Sequence, residues 1–492
     1  MELAAELRRA LDGLSAVGTP EVRENGEWLA GLEGVQYEVS ALGESALLHL
    51  WSTQQSLVRR VLRVAEASGD RVVLEVSRYG HSRNAQLELV AGGVTREARR
   101  VVREQFASRL RSILTHYFPD ETVETLATSA DLRHSISGSY ARGLLRHGSN
   151  GFAVIGASPN EDGATIEGIL TFGLIWLEHA RERATKYSVQ GLRLFVPSGT
   201  SAVTAHRIGA LSSLQEVELF EYDPRYWRVR RIARSDAGNL ASRIVPHREI
   251  EQAIAGAMPM ADRIQRLAHE AIRTGVAQGS QEVTLRFRGL EFARWRMGAM
   301  WYGLGERQDI LTLEKWPALV ELVQQLEMHR HPLASDTKHR FYRAQPERWL
   351  ETMVVAEPGR IDPRLDPRHM YAQVPAFSCG DRGMIDLLGA TRDGRLAVLE
   401  LKASEDIHLV MQAVDYWLRV RFHHAQDDFR RYGYFPEVPL NAKPPLLYLV
   451  APGFRFHPSM DIVLRYLSPE IEIARVALAE NWRRGLKVVF RQ

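Results

Sequence analysis

The spacing of apolar and polar positions changes period several times along the 492 residues. "MELAAELRRALDGL" sets apolar residues three and four apart, and residues 1–30 are predicted to be helical. "GVQYEVSAL" and "ALLHLWS" read as strands, and a helix is predicted around 56–67. "RVVLEVSRY" and "NAQLELVA" predict a hairpin, and 94–117 a long helix. From 139 the pattern becomes short apolar runs bounded by turn residues, which favours buried strands. These are "GFAVIGAS" (151–158), "LRLFVP" (192–197) and "EVELFEYD" (216–223), with helices over 163–185 and 201–211. Segment 235–280 reads as helical and as a link between two halves. "EVTLRFRGLEFARWRM" then opens a second set, with helices near 314–329 and 345–356. Strands over 384–391 and 395–403, a helix over 406–425, strand "LLYLVAP" (446–452), a helix over 458–467 and strand "IEIARVAL" (471–478) follow.

This last order repeats the order seen from 139, which suggests an internal repeat. At an offset of 244, Ala153, Val154, Glu161 and Asp162 fall on Ala397, Val398, Glu405 and Asp406. At an offset of 255, Pro197 falls on Pro452 and Trp227-Arg228 on Trp482-Arg483. The change of 11 lies in the turn-rich loop "FPEVPLNAKPP". The chain is therefore expected to be an α/β protein built by tandem duplication, with extra N-terminal α+β segments in each half. The expected divisions are 1–92 (an α+β segment), 93–234 (the first copy), 235–340 (a helical linker and α+β segment) and 341–492 (the second copy).

Composition adds little to this picture, and charge type adds more. Apolar residues are 45% and charged residues 25%, as in ordinary soluble domains, and the net charge of +3 announces no polyanionic partner. Of 63 basic residues only six are Lys, leaving 57 Arg, so a Lys beside carboxylates stands out. The single cysteine, Cys379, excludes an internal disulfide and a cysteine-based zinc site, and fits a reducing compartment. The longest apolar run, "GILTFGLIWL" (168–177), is too short to span a bilayer, so a cytoplasmic protein without membrane attachment is expected.

Candidate chemistry concentrates in "GMIDLLGATRDGRLAVLELKAS" (383–404). Glu400 and Lys402 share one face of a strand because side chains alternate. Asp386 joins them if the connection is the three-residue loop Arg392-Asp393-Gly394 with Gly394 left-handed, since a two-residue turn would set Asp386 opposite Leu401. The three-residue loop is the expectation. Two carboxylates on neighbouring strands make a hard oxygen site suited to Mg²⁺ or Mn²⁺. The bland reading is a strand that ends in charged surface residues. The following helix bears on the choice, because "HLVMQAVDYW" sets Gln412 and Tyr416 four apart on one face.

These residues resemble the PD-(D/E)XK (restriction-endonuclease-like) nuclease superfamily, in the branch of recombination-helicase nuclease domains. "GMID" (383–386), "ELK" (400–402) and "QAVDY" (412–416) carry the resemblance, in order, over roughly 340–480. No Pro precedes Asp386, a departure common in this branch. The resemblance implies a mixed sheet flanked by helices and metal-dependent hydrolysis of DNA. It implies that Asp386, Glu400 and Lys402 are catalytic and that Mg²⁺ or Mn²⁺ is held by Asp386, Glu400 and Glu351, with Glu347 the alternative on "PERWLETMV". Lys402 would position the attacking water, and Gln412 and Tyr416 would contact DNA or brace the site.

At the offset of 244 the first copy has Arg142 for Asp386, Gly156 for Glu400, Ser158 for Lys402, Gly168 for Gln412 and Phe172 for Tyr416. It is expected to be a degenerate, catalytically inert core. Its basic, aromatic "YWRVRRIAR" (226–234) is either a nucleic-acid surface or a solvated strand. The expected function is a metal-dependent deoxyribonuclease of phage defence or DNA repair, acting on DNA as a homodimer or within a larger complex. The alternative is a non-catalytic nucleic-acid-binding or scaffolding protein built on nuclease-like folds.

Overall fold

The computed structural model describes residues 2–17, 20–24, 27–31, 36–43, 45–51, 56–68, 71–77, 85–91, 96–129, 136, 138–234, 242–247, 251–277, 282–305, 307–378 and 381–492. Cys379 lies outside the described residues. The chain forms two compact units, 1–108 and 109–492, and the architecture is mixed α/β, with mixed and antiparallel sheets flanked by helices. Among the described residues no helix is long and apolar enough to cross a membrane.

In the first unit, helix Glu2–Val17 buries Leu7, Leu11 and Leu14 against a seven-stranded antiparallel sheet. The helical expectation for 1–30 holds only to Val17, because Pro20–Glu24 and Glu27–Gly31 pair as antiparallel strands. Asn25-Gly26, the strongest short hairpin signal in a sequence, lies between them. The helix expected around 56–67 is the strand Ser56–Ala67. Its pairing shifts register between Val61 and Arg63 and again between Val64 and Glu66. An extra residue between Val61 and Val64 lets both meet the core at a spacing of three, which imitates a helix.

Among the described residues the second unit holds three sheets. In its first part, β1 (Thr122–Ala127), β2 (Tyr140–His147), β3 (Asn150–Ala157), helix α1 (Ile169–Arg183), β4 (Ser188–Pro197), helix α2 (Ala202–Ile208), β5 (Glu216–Tyr222) and β6 (Val229–Ile232) form a sheet ordered β6-β5-β4-β3-β2-β1. Its β3/β4 and β4/β5 pairs are parallel and the rest antiparallel. The last part runs through helix α3 (Pro346–Ala356), β7 (Leu365–Ser378), β8 (Asp381–Thr391), β9 (Leu396–Leu401), helix α4 (Leu409–Ala425), β10 (Leu446–Pro452), helix α5 (Met460–Arg465), β11 (Ile473–Leu478) and β12 (Val488–Arg491). Its sheet is ordered β7-β8-β9-β10-β11-β12, again with only the third and fourth pairs, β9/β10 and β10/β11, parallel. Parallel neighbours need a crossover, and the helices between them supply it in both sheets.

Between these parts, the segment expected as a helical linker is helical, among its described residues, only over Glu251–Gln265. Strand Ser242–Ile244 joins the edge of the last sheet beside β7, and Ile272–Val276 opens a five-stranded antiparallel meander that runs to Ile310. Strand β7 was not expected. Its Pro367 and Pro375 argue against a central strand, yet it pairs along β8 with a register irregularity between Leu365 and Met370.

Candidate functional site

The hairpin β8–β9 has the expected form. Leu387 faces Leu399 and Ala390 faces Leu396, while the Thr391 amide bonds the Arg395 carbonyl at 2.8 Å. Three residues, 392–394, close the loop. Gly394 has φ +79, and a Cβ there would stand 2.1 Å from the Pro439 carbonyl oxygen, so no other residue fits. Continuing the register by one step sets Asp386 opposite Glu400. At that step the ladder stops, and the Leu401 amide donates to Asp386 Oδ2 at 3.0 Å. Gly383, the first residue of "GMID", leaves room for Arg419, whose Nη1 would stand 1.9 Å from an added Cβ.

Helices on both faces reach this strand end. On one face α3 packs through Trp349, Leu350 and Val354 against Leu399 and Leu401; on the other, α4 packs through Val410, Val414 and Trp417 against Leu396 and Val398. Lys402 continues the strand, its amide bonding the Val450 carbonyl at 3.0 Å. Its Nζ lies 3.5 Å from Glu400 Oε1 and 3.2 Å from Asp406 Oδ2, and it donates to Gln412 Oε1 at 2.8 Å. Gln412 Nε2 in turn lies 3.5 Å from the Tyr416 hydroxyl. Of the two roles expected for Gln412, bracing has a direct contact.

Glu351 is buried on α3 and receives Arg348 Nη1 at 2.7 Å and the Gln373 amide nitrogen. The same Gln373 nitrogen lies 3.5 Å from Asp386 Oδ1, so one amide bridges two of the expected metal ligands. Arg286, from strand Val283–Phe287 of the meander, stands 4.0 Å from Glu351 Oε1. Glu347 Oε1 accepts the Ala403 amide at 3.2 Å, which makes Glu347 a clamp on the strand end. Asp386, Glu400, Lys402, Glu351, Gln412 and Tyr416 thus lie in one connected group.

Sequence reasoning missed Gln373, Arg348, Arg286 and Asp406. Gln373 sits in β7 between the pairs Ala372↔Leu387 and Val374↔Ile385, with φ +56. A non-glycine residue rarely adopts that backbone, and such outliers gather at functional sites. The prolines that hid β7 hid Gln373 with it. Asp406 carried one signal, since it was among the identities between the two halves.

Burial governs the electrostatics. It pushes the Glu400 carboxyl well above the usual range, and Asp386 adds to the rise. Asp386 is raised mainly by burial, eased by the Leu401 amide. Burial lifts Glu351 to about 7, against the downward pull of Arg348. For Lys402 burial favours the neutral amine, but Glu400, Asp406 and Asp386 outweigh it and hold the ammonium above its ordinary value. Glu400 is 1% exposed, and its Oε2 has no hydrogen-bond partner.

An unpartnered buried carboxylate oxygen costs several kcal/mol unless a cation or a proton meets it. Asp386 and Glu400 therefore fit a hard divalent ion, with Glu351 the third oxygen donor once Gln373 and Arg348 release it. Among the described residues no three His, Cys, Asp or Glu side chains already converge as a formed ligand set. In the first half, Gly156 faces Ala141, not Arg142, because the β2–β3 connection is one residue shorter than the β8–β9 loop. The position matching Asp386 is therefore Ala141. Arg230 and Arg231 of the basic stretch pair with Glu221 and Glu218 of the neighbouring strand. No protein-family model matches this sequence, and no curated protein matches it significantly.

Proposed function

We propose that this chain is a metal-dependent nuclease that hydrolyses phosphodiester bonds in DNA, with Asp386, Glu400 and Lys402 as its reactive group. The observation that carries the reading is the buried, unpartnered Glu400 Oε2 beside Asp386 and a Lys402 kept protonated. In this reading the two sheets of matching strand order are tandem copies of a restriction-endonuclease-like core. The resemblance of "GMID", "ELK" and "QAVDY" to the PD-(D/E)XK superfamily supports the same assignment.

Asp386 and Glu400, with Glu351, would hold Mg²⁺ or Mn²⁺, which when bound polarises a phosphoryl oxygen and lowers the pKa of a water. Lys402 orients the attacking water and meets the charge that develops on phosphorus, held in place by Gln412. The water oxygen bonds to phosphorus and gives up a proton to solvent, one ester P–O bond breaks, and the leaving oxygen takes up a proton. Arg348 and Arg286 add positive charge where the phosphate backbone would approach. Tyr416 backs Gln412, and burial raises its hydroxyl to about 12, so it stays neutral while it accepts from Gln412 Nε2.

The test is incubation of linear duplex and single-stranded DNA with Mg²⁺, Mn²⁺ or EDTA, beside Lys402→Ala. Cleavage that needs the metal and disappears in the variant is expected; metal-independent cleavage, or cleavage equal in both proteins, would sink the reading. One observation favours a second reading, a non-catalytic DNA-binding scaffold: Gln373 and Arg348 already satisfy Glu351. DNA binding without cleavage, and no Mn²⁺ bound in a titration, would select it.

A further inference from the structure

We infer that this chain is a built-in pseudo-dimer with one reactive half, and that it therefore nicks duplex DNA on one strand per binding event. The inference rests on the nuclease reading above and adds the product and stoichiometry.

The two halves meet through reciprocal contacts. Helix α1 packs against α5, and α4, its counterpart in the last sheet, packs against α2. Leu211 and Leu467 pair with each other as an isolated antiparallel bridge. Around it the Ser212 amide donates to the Tyr466 carbonyl at 2.9 Å and the Ser468 amide donates to the Ala210 carbonyl at 2.8 Å. Leu211-Ser212 and Leu467-Ser468 are the same dipeptide at an offset of 256. Each half thus gives the other the contact it receives, which is the signature of a two-fold, isologous interface. A buried Arg207–Asp415 pair, with Nη2 to Oδ2 at 2.6 Å, ties α2 to α4, and core residues of both halves form one continuous cluster.

The chemistry does not follow this symmetry. Where one half has Asp386, Glu400, Lys402 and Gln412, the other has Ala141, Gly156, Ser158 and Gly168. The space at the last of these positions, Gly168, is also filled. A Cβ on Gly168 would stand 2.9 Å from His408 Cε1 and 3.1 Å from the Tyr140 hydroxyl, and His408 meets Phe172 edge-on at 5.4 Å between ring centres. His408 opens α4, so the reactive half seals the inert one.

The strands of a duplex are antiparallel and related by local two-fold axes, which is why two-fold proteins address both strands alike. A chain that presents a two-fold frame with one reactive group delivers hydrolysis to one strand only. The surface that would recruit a second copy for the other strand is already covered by the inert half.

The test uses the full chain on supercoiled plasmid with Mn²⁺, with sedimentation of the chain on a short duplex in EDTA as a second readout. The expected result is complete conversion of supercoiled to open circles before linear product appears, abolished in Lys402→Ala, and one chain per duplex. Linear product formed in step with open circles, intact circles while linear DNA is eroded from its ends, or two chains per duplex would each overturn the inference and leave the nuclease reading standing. No cleavage of any DNA would overturn both together.

Discussion

The two halves of the second unit share strand order, strand sense and helical crossovers, yet their corresponding positions have opposite energetics. In the first half they are Ala141, Gly156, Ser158, Gly168 and Phe172, closed over by Tyr140 and His408. In the second they hold two carboxyls raised by burial, Asp386 and Glu400, the latter with an orphaned oxygen, beside the raised Glu351 of α3 and balanced in part by Lys402 and Arg348. The first half is what packing alone would favour at these positions. The second retains groups that weaken the metal-free fold, as expected where function rather than stability selects the residues.

The sharpest way to break that contrast is substitution at matched positions. Lys402→Ala is expected to reduce cleavage by about 10³-fold, on the scale of losing one transition-state charge contact. Ser158→Ala at the matching position is expected to leave the rate unchanged. Equal losses measured in a plasmid assay would mean that both halves take part in the chemistry.

Asp415→Ala comes next, because it removes the carboxylate partner of the buried Arg207 at the joint between the halves and leaves that guanidinium with neutral acceptors such as the Glu167 carbonyl. Removing one partner of a buried pair is expected to cost roughly 3–5 kcal/mol, measured by urea unfolding. A negligible cost would show that the halves do not depend on this joint.

Acidity provides a subtler comparison. Glu351, Asp386 and Glu400 titrate higher in the folded chain than in the unfolded one. Their stabilising contribution is complete below the unfolded carboxyl value and is lost as pH rises through the folded value, about 7 for Glu351. The metal-free melting temperature is therefore expected to fall from about pH 5 to about pH 8, and less steeply in Glu400→Gln. Mn²⁺ is expected to raise it more at the higher pH. A pH-independent melting temperature, unmoved by Mn²⁺, would remove the carboxyl cluster as the difference between the halves.

Tyr416→Phe has the smallest expected effect. It removes only the 3.5 Å contact to Gln412, so the rate is expected to fall about two- to fivefold, the worth of one weak hydrogen bond. A loss as large as that of Lys402→Ala would place Tyr416 among the reacting groups.

Much of the site was legible because strand and helix periods fix which residues share a face. The Gly394 loop set Asp386 against Glu400, and the four-residue step from Gln412 to Tyr416 set both on one side of α4. The reading failed where local pattern and pairing disagree. Bulges gave Ser56–Ala67 a three-residue spacing that imitates a helix, and prolines masked β7. A fixed offset of 244 also misplaced Arg142, because one residue of loop length reverses the parity of a strand.

The sequence by itself determined the mixed α/β character, the helices and strands on either side of the β8–β9 hairpin and the grouping of Asp386, Glu400 and Lys402, since these follow from local geometry and turn chemistry. The tertiary structure alone decided that Gln373 bridges Glu351 and Asp386, that Arg286 arrives from a separate sheet, and that His408 packs against Gly168 and Phe172 of the first half. Those contacts join residues far apart in the chain, and no periodicity records them. They are set when sheets and helices pack, and burial then fixes the charge on each carboxyl.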